Sequence, residues 1–350
     1  MKRFITNILL LIIPIIIIVI PYFVLDPFKV LRDYDLYGAP GNPMYVNINR
    51  TLISQKMFDR YCDFYGWDSY VFGGSRSGYY RYDIWSEHLD STASIAHLDG
   101  YGESLYNIYH KVKYIDGKTP IKNALLCIDE QVLFNTENEL NPINTITPDL
   151  DPTFSKLDFH ALFLKAYLTP SFFVGYLHFK ISGKLYPYML ESQKLQKSIY
   201  YYDMTHNEML NENDFKNIPD SVYYNEKRMA LFPTERPTEQ QYFKPVVKDE
   251  QVRMLTEIKQ IFEKNGTNYK VIINPIYDQK KLCDSDMQKL YDIFGEDLIY
   301  DYSGINFITN DYHNWADTQH FNKHCARQML KWVYVDNAHT IPEGQTDFDL

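Results

Sequence analysis

The chain has 350 residues, 45% of them hydrophobic, and a formal charge of −10 at pH 7. That is enough apolar material for a sizeable core, and α/β folds of this length form single units. An acidic chain with no basic stripe argues against a nucleic-acid binder.

Residues 1–25 read MKRFITNILLLIIPIIIIVIPYFVL. Lys2 and Arg3 precede roughly 20 apolar residues, the length that crosses a bilayer. Pro14 and Pro21 interrupt the run, which a membrane helix tolerates better than a soluble one. No small-x-small cleavage signature follows, so an uncleaved transmembrane anchor is predicted and not a secretory signal peptide. The leading cations place the N-terminus in the cytoplasm and everything from about residue 27 outside it. Residues 26–64 read as a connector, punctuated by YGAPGNP and with few periodic signals.

From residue 65 to 340, short apolar runs alternate with helical patterns. YVF is a strand that ends at Gly73. SLYNIYHKVKYI has apolar residues at helical spacing, and KNALLCI is the next strand. QVRMLTEIKQIFEKNG is an amphipathic helix, with Val252, Leu255, Ile258 and Phe262 on one side and Gly266 as its stop. YKVIINP, MQKLYDIFG and DLIYDYSG continue the alternation, and HFNKHCARQMLKWVYV closes it as a helix. This rhythm predicts an α/β fold: a mostly parallel sheet covered on both faces, a three-layer sandwich. Residues 136–245 break the rhythm with loop-like stretches around aromatic helices such as PSFFVGYLHFKISG, and read as a helical and loop insertion that caps the site.

In open α/β sheets, sites form at the carboxyl ends of the strands. After YVFGG stands Ser75, on a glycine turn leaving a strand. That setting exposes a nucleophilic hydroxyl and turns nearby backbone N–H groups toward an oxyanion. Far along the chain, in NDYHNWADTQHFNKH, Asp317 and His320 lie three residues apart. A carboxylate at that distance fixes the imidazole tautomer and leaves the other ring nitrogen to take a proton from serine. The structural alternative makes Asp317 a helix N-cap and His320 a first-turn residue. Arg76 either binds an anionic substrate or pairs with a local carboxylate to hold the loop. Ser77 is the fallback nucleophile. Of the other histidines only His313 lies near the Asp317 segment. Cys62, Cys127, Cys283 and Cys325 show no Cys-x-x-Cys spacing and no zinc-finger histidine, which speaks against a metal site. Cys127, within ALLCI, reads as core, and disulfide pairing is not deducible from spacing.

The GGSRS turn after the first core strand and the DTQHF block before the last helix together resemble the SGNH (GDSL-like) hydrolase superfamily. Closer still is the likeness to its membrane-anchored branch, related to the alginate O-acetylation and D-alanyl-lipoteichoic-acid proteins. Those also carry an N-terminal span, a Ser-Arg loop, a D..HF ending and a strand like ALLCIDEQ. The resemblance covers residues 65–135 and 247–335 and departs from the family in two places. Gly74 stands where Asp is usual, and Asp129, Glu130 and Gln131 replace the Gly-x-Asn-Asp block.

The resemblance implies a flavodoxin-like sandwich. It makes Ser75 the nucleophile, His320 the base and then the acid, and Asp317 its orienting carboxylate. Gly100 or Gly102 would give the oxyanion-hole N–H, with Gln131 or Asn274 in place of the missing asparagine. It further implies a single-pass protein of the bacterial cytoplasmic membrane, its catalytic domain extracytoplasmic (periplasmic). The chemistry is acyl transfer without metal or cofactor, with a cell-envelope polysaccharide as acceptor and a multi-span acyltransferase as partner. An SGNH esterase passes through the same intermediate. A glycan-binding assembly protein with an inactive triad is the reading that the absent asparagine block favours.

Overall fold

A computed structural model describes residues 13, 16, 18–38, 44–190, 194–197, 200–211, 219–233 and 235–348. Five strands form the central sheet: β1 (Ser69–Phe72), β2 (Ile95–His97), β3 (Asn123–Ile128), β4 (Asn268–Ile273) and β5 (Ile299–Asp301). Their order is β2–β1–β3–β4–β5, and every pairing among them is parallel. This is an α/β architecture with a parallel sheet flanked by helices, and its strand order is compatible with a flavodoxin-like fold.

The strands are apolar on both faces, as parallel strands covered twice must be. Along β3, Ala124, Leu126 and Ile128 join one core cluster while Leu125 and Cys127 join another. The first cluster packs under α1 (Arg50–Tyr65), α2 (Leu105–Asp116), α5 (Asp249–Asn265) and α6 (Asp284–Phe294). The second lies under α7 (Lys323–Lys331) and the short turn Tyr82–Trp85, with Trp85, Trp315 and Trp332 filling it. Helix α5 follows the expected pattern: Leu255, Ile258 and Phe262 are buried, and Gly266 closes it at φ +64°.

Two expectations need correction. Within the segment read as a connector, Arg50–Tyr65 is a 16-residue helix, capped by Asn49 at one end and Gly66 at the other. Its buried face carries Arg50, Thr51, Ser54 and Gln55 beside Ile53, Met57 and Phe58, so the polar residues mask the apolar period. The insertion also holds more than helices and loops. Besides α3 (Lys156–Tyr167) and α4 (Pro170–Ser182), it forms an antiparallel hairpin of Tyr200–Asp203 with Glu208–Asn211.

The expected membrane span, residues 1–25, lies in large part outside the described residues, which within it are 13, 16 and 18–25, the last stretch helical. Among the described residues no helix is long and apolar enough to cross a membrane. All four cysteines are free thiols.

Candidate active site

Strand β1 ends at Phe72, and the chain turns through Gly73 at φ +153°. A side chain there would meet the carbonyl of Cys127 at 2.7 Å and Ser77 Cβ at 2.9 Å, so only glycine permits the turn to lie this close to β3. The Gly73 carbonyl accepts the Gly100 N–H at 3.1 Å, tying the turn to the end of β2. Ser75 then opens a short 3₁₀ turn, Ser75–Tyr79.

Asp317 and His320 sit on a tight hairpin, Trp315–Asp317 against His320–Phe321, just ahead of α7. The N-cap of α7 is Asn322, so the helix-cap reading of Asp317 does not describe this segment. Trp315 and Phe321 are fully buried and anchor both ends of the hairpin. Asp317 Oδ1 accepts the backbone N–H of Gln319 at 2.7 Å and of His320 at 3.0 Å, which folds the carboxylate back over its own turn. His320 Nδ1 lies 2.9 and 3.0 Å from the two carboxylate oxygens, and His320 Nε2 lies 2.7 Å from Ser75 Oγ. A carboxylate only accepts, so it fixes the imidazole proton on Nδ1 and leaves Nε2 to receive the serine proton. Burial pushes the Asp317 carboxyl up, but its hydrogen bond to His320, the histidine's charge and the two backbone N–H groups outweigh that. They hold it below its ordinary value.

Arg76 points away from the serine hydroxyl. Its guanidinium donates to Asp129 Oδ2 at 2.7 Å, to the Gln319 carbonyl at 2.7 Å and to Gln319 Oε1 at 3.0 Å. One nearly buried cation thus ties the serine turn to the end of β3 and to the turn that carries His320. Asp129 also caps the short helix Glu130–Phe134 through the Val132 N–H, so its charge is spent on Arg76 and that helix start. Burial and the neighbouring Asp129 and Asp278 charges push the Glu130 carboxyl up.

The other expected site residues are placed unevenly. Ser77 is buried and its hydroxyl donates to the Gly74 carbonyl at 2.7 Å, so it does not present a nucleophile. The Gly100 N–H is occupied by Gly73, which removes it as an oxyanion donor. Gly102, at φ +48°, lines the same cavity as Ser75 and His320. The Gln131 amide nitrogen comes within 3.5 Å of where a Gly102 side chain would start, although Gln131 itself faces the neighbouring cleft. Asn274 is buried behind the site, its Oδ1 accepting from Tyr80 at 2.9 Å, and it does not line the cavity. His313 stays on its own loop, paired with Asp311 at 2.8 Å.

The cavity at Ser75 holds about 170 Å³. Tyr79, Arg81, Asp99, Tyr101, Tyr200 and Met209 form most of its wall, and the last two come from the insertion hairpin. None of these was expected. Asp99 and Tyr101 follow the carboxyl end of β2 and so lay within reach of the strand-end rule. Nothing in the sequence of the insertion pointed to Tyr200 or Met209. On the other flank, a larger cleft of about 750 Å³ is lined by Arg76, Gln131, Gln319, Glu235, Arg236 and Asp278, among others. Comparison of the chain with protein-family models and with curated proteins finds no match.

Proposed function

We propose that this protein is a serine acyl-transfer enzyme of SGNH type, an O-acyltransferase acting on a cell-envelope polysaccharide from the outer side of the bacterial cytoplasmic membrane. The observation that carries the reading is the relay Ser75 Oγ–His320–Asp317, with a 2.7 Å contact between Ser75 and His320, 245 positions apart, and a 2.9 Å contact from His320 to Asp317 three residues before it. As Ser75 Oγ bonds to the acyl carbon, its proton passes to His320 Nε2, and Asp317 stabilises the imidazolium. Gly102 and the N–H of Ser75, the first of its 3₁₀ turn, are the donors for the oxyanion. The leaving group takes the proton from Nε2 as its bond to the acyl carbon breaks, and a Ser75 ester remains. An acceptor hydroxyl then surrenders its proton to Nε2 and attacks, and Ser75 recovers its own.

The small, tyrosine-walled cavity suits a short acyl group, and the wide polar cleft across the Gln319 turn suits a glycan chain. The anchor read at residues 1–25 keeps the domain where a multi-span partner supplies the acyl group. The resemblance to the anchored envelope proteins supports transfer over hydrolysis by analogy.

A fluorophosphonate probe should label the wild type and leave Ser75→Ala unlabelled. Retained labelling removes Ser75 from the mechanism. An acyl-enzyme seen by intact mass that turns over only with a carbohydrate hydroxyl present marks a transferase. Turnover in water alone marks an esterase, and the absence of any acyl-enzyme with glycan binding intact marks a binding protein.

A further inference from the structure

Between residues 159 and 190 the chain carries three lysines, Lys165, Lys180 and Lys184, and no Asp or Glu, although the whole chain is at −10. The same stretch displays apolar surface. Helix α4 buries Phe172, Gly175 and Tyr176, yet its opposite side exposes Val174 (56%) and Ile181 (87%). A surface helix ordinarily turns a polar face to water. Beyond it, Tyr186, Tyr188 and Leu190 are also exposed, and the two tyrosines lie 4.9 and 6.0 Å from the His178 ring.

The buried side of this unit packs against the chain that emerges from the apolar N-terminal segment. Phe28 stacks on Phe172 at 4.9 Å and Tyr22 meets Tyr167 at 5.3 Å, all within one core cluster. The helical residues Ile20, Phe23 and Val24, on either side of Tyr22, are more than half exposed. The apolar end of the N-terminal helix and the exposed face of α4 therefore belong to one packed body.

We propose that the face formed by α4 and residues 186–190 is a membrane-docking surface, seated in the headgroup region of an anionic phospholipid bilayer. The proposal rests on the reading of residues 1–25 as an anchor. Ile181 and Val174 enter the acyl boundary, the tyrosine rings take the interfacial position their polar tips favour, and Lys180 and Lys184 reach the lipid phosphates. The domain is then held at two places and cannot swing freely about its anchor.

The test uses the full chain, with Cys283→Ser, in vesicles of phosphatidylcholine and phosphatidylglycerol. An environment-sensitive fluorophore is placed on Ile181→Cys, on Ile20→Cys, or on Val335→Cys, an exposed position outside the patch. Nitroxide-bearing lipid should quench the labels at 181 and 20 and spare the one at 335. Replacing Lys180 and Lys184 by Glu should lower the ratio of quenched to unquenched label at 181 by about 30-fold or more. Quenching at 20 with none at 181 overturns the docking surface and leaves the anchor standing. No quenching at 20 overturns both. Shielding of 181 without quenching, accompanied by cross-linking to a second protein, overturns the lipid assignment in favour of a protein partner.

Discussion

One side of the Ser75 cavity is built from the serine turn and the 315–321 hairpin, fixed largely by bonds to backbone within a few residues and by Arg76 between them. The opposite side is the 200–211 hairpin, which hangs on buried polar groups gathered from distant segments. Arg50, fully buried in α1, reaches Asp99 at 2.6 Å, the Tyr202 hydroxyl at 2.7 Å and the Asn207 carbonyl at 2.6 Å. Glu208 lies 3.0 Å from His97 Nε2 and accepts the Tyr82 N–H at 2.7 Å, all but Tyr82 being fully buried. Burial pushes the Asp99 carboxyl up, yet the Arg50 charge, with His97, the Arg50 hydrogen bond and Lys111 behind it, holds it below its ordinary value. The difference teaches that Ser75, His320 and Asp317 are placed mainly by bonds within their own turns, with Arg76 as the cross-link, whereas the wall around them is placed by buried charges gathered from distant segments. The two should fail differently.

His320→Ala gives the largest expected effect. On the proposed function, acyl transfer should fall by about 10⁴- to 10⁶-fold with the thermal unfolding midpoint nearly unchanged, because that function needs the imidazole for chemistry and not for packing. A stable variant that keeps its activity would break the distinction from the reactive side. Arg50→Met tests the other wall. Leaving Asp99 buried and unpaired should cost about 3–5 kcal/mol by denaturant unfolding. Ser75 labelling should persist wherever that variant remains folded.

Arg76→Lys falls between the two, since one ammonium cannot make all three contacts of the guanidinium. It should lower kcat about 10- to 100-fold by loosening His320 against Ser75, while the fluorophosphonate still labels slowly. The smallest effect is the acid dependence of Asp317. Its carboxyl is held below the usual 3.8, so the stability it lends is fully present above that value and is lost as pH falls through the lowered one. The stability difference between wild type and Asp317→Asn should therefore shrink on acidification below about pH 4. A constant difference across that range would show that the charge is not what matters there.

The same contrast explains what was legible. Strand β3 is an unbroken apolar run and α5 a regular amphipathic pattern, so the sheet and its helices follow from periodicity. Gly73 and Gly74 before Ser75, and the three-residue spacing of Asp317 and His320, carry their meaning locally. Arg50 does not: a cation on a helix reads as solvent-facing, and its burial depends on Asp99, Tyr202 and Asn207 arriving from elsewhere. The proposed oxyanion donors are only half readable for a related reason. Gly100 and Gly102 are equivalent as letters, and the bond from Gly100 to Gly73 separates them.

Ser75 follows the first strand of the sheet, and its hydrogen-bonded partner His320 sits on a hairpin 245 positions later. Domains synthesised from the N-terminal end acquire their early elements first. A chain synthesised only part of the way to residue 320 thus holds Ser75 without the imidazole that contacts it. On the proposed function, the acyl-transfer relay forms only once the 315–321 hairpin has folded against the serine turn.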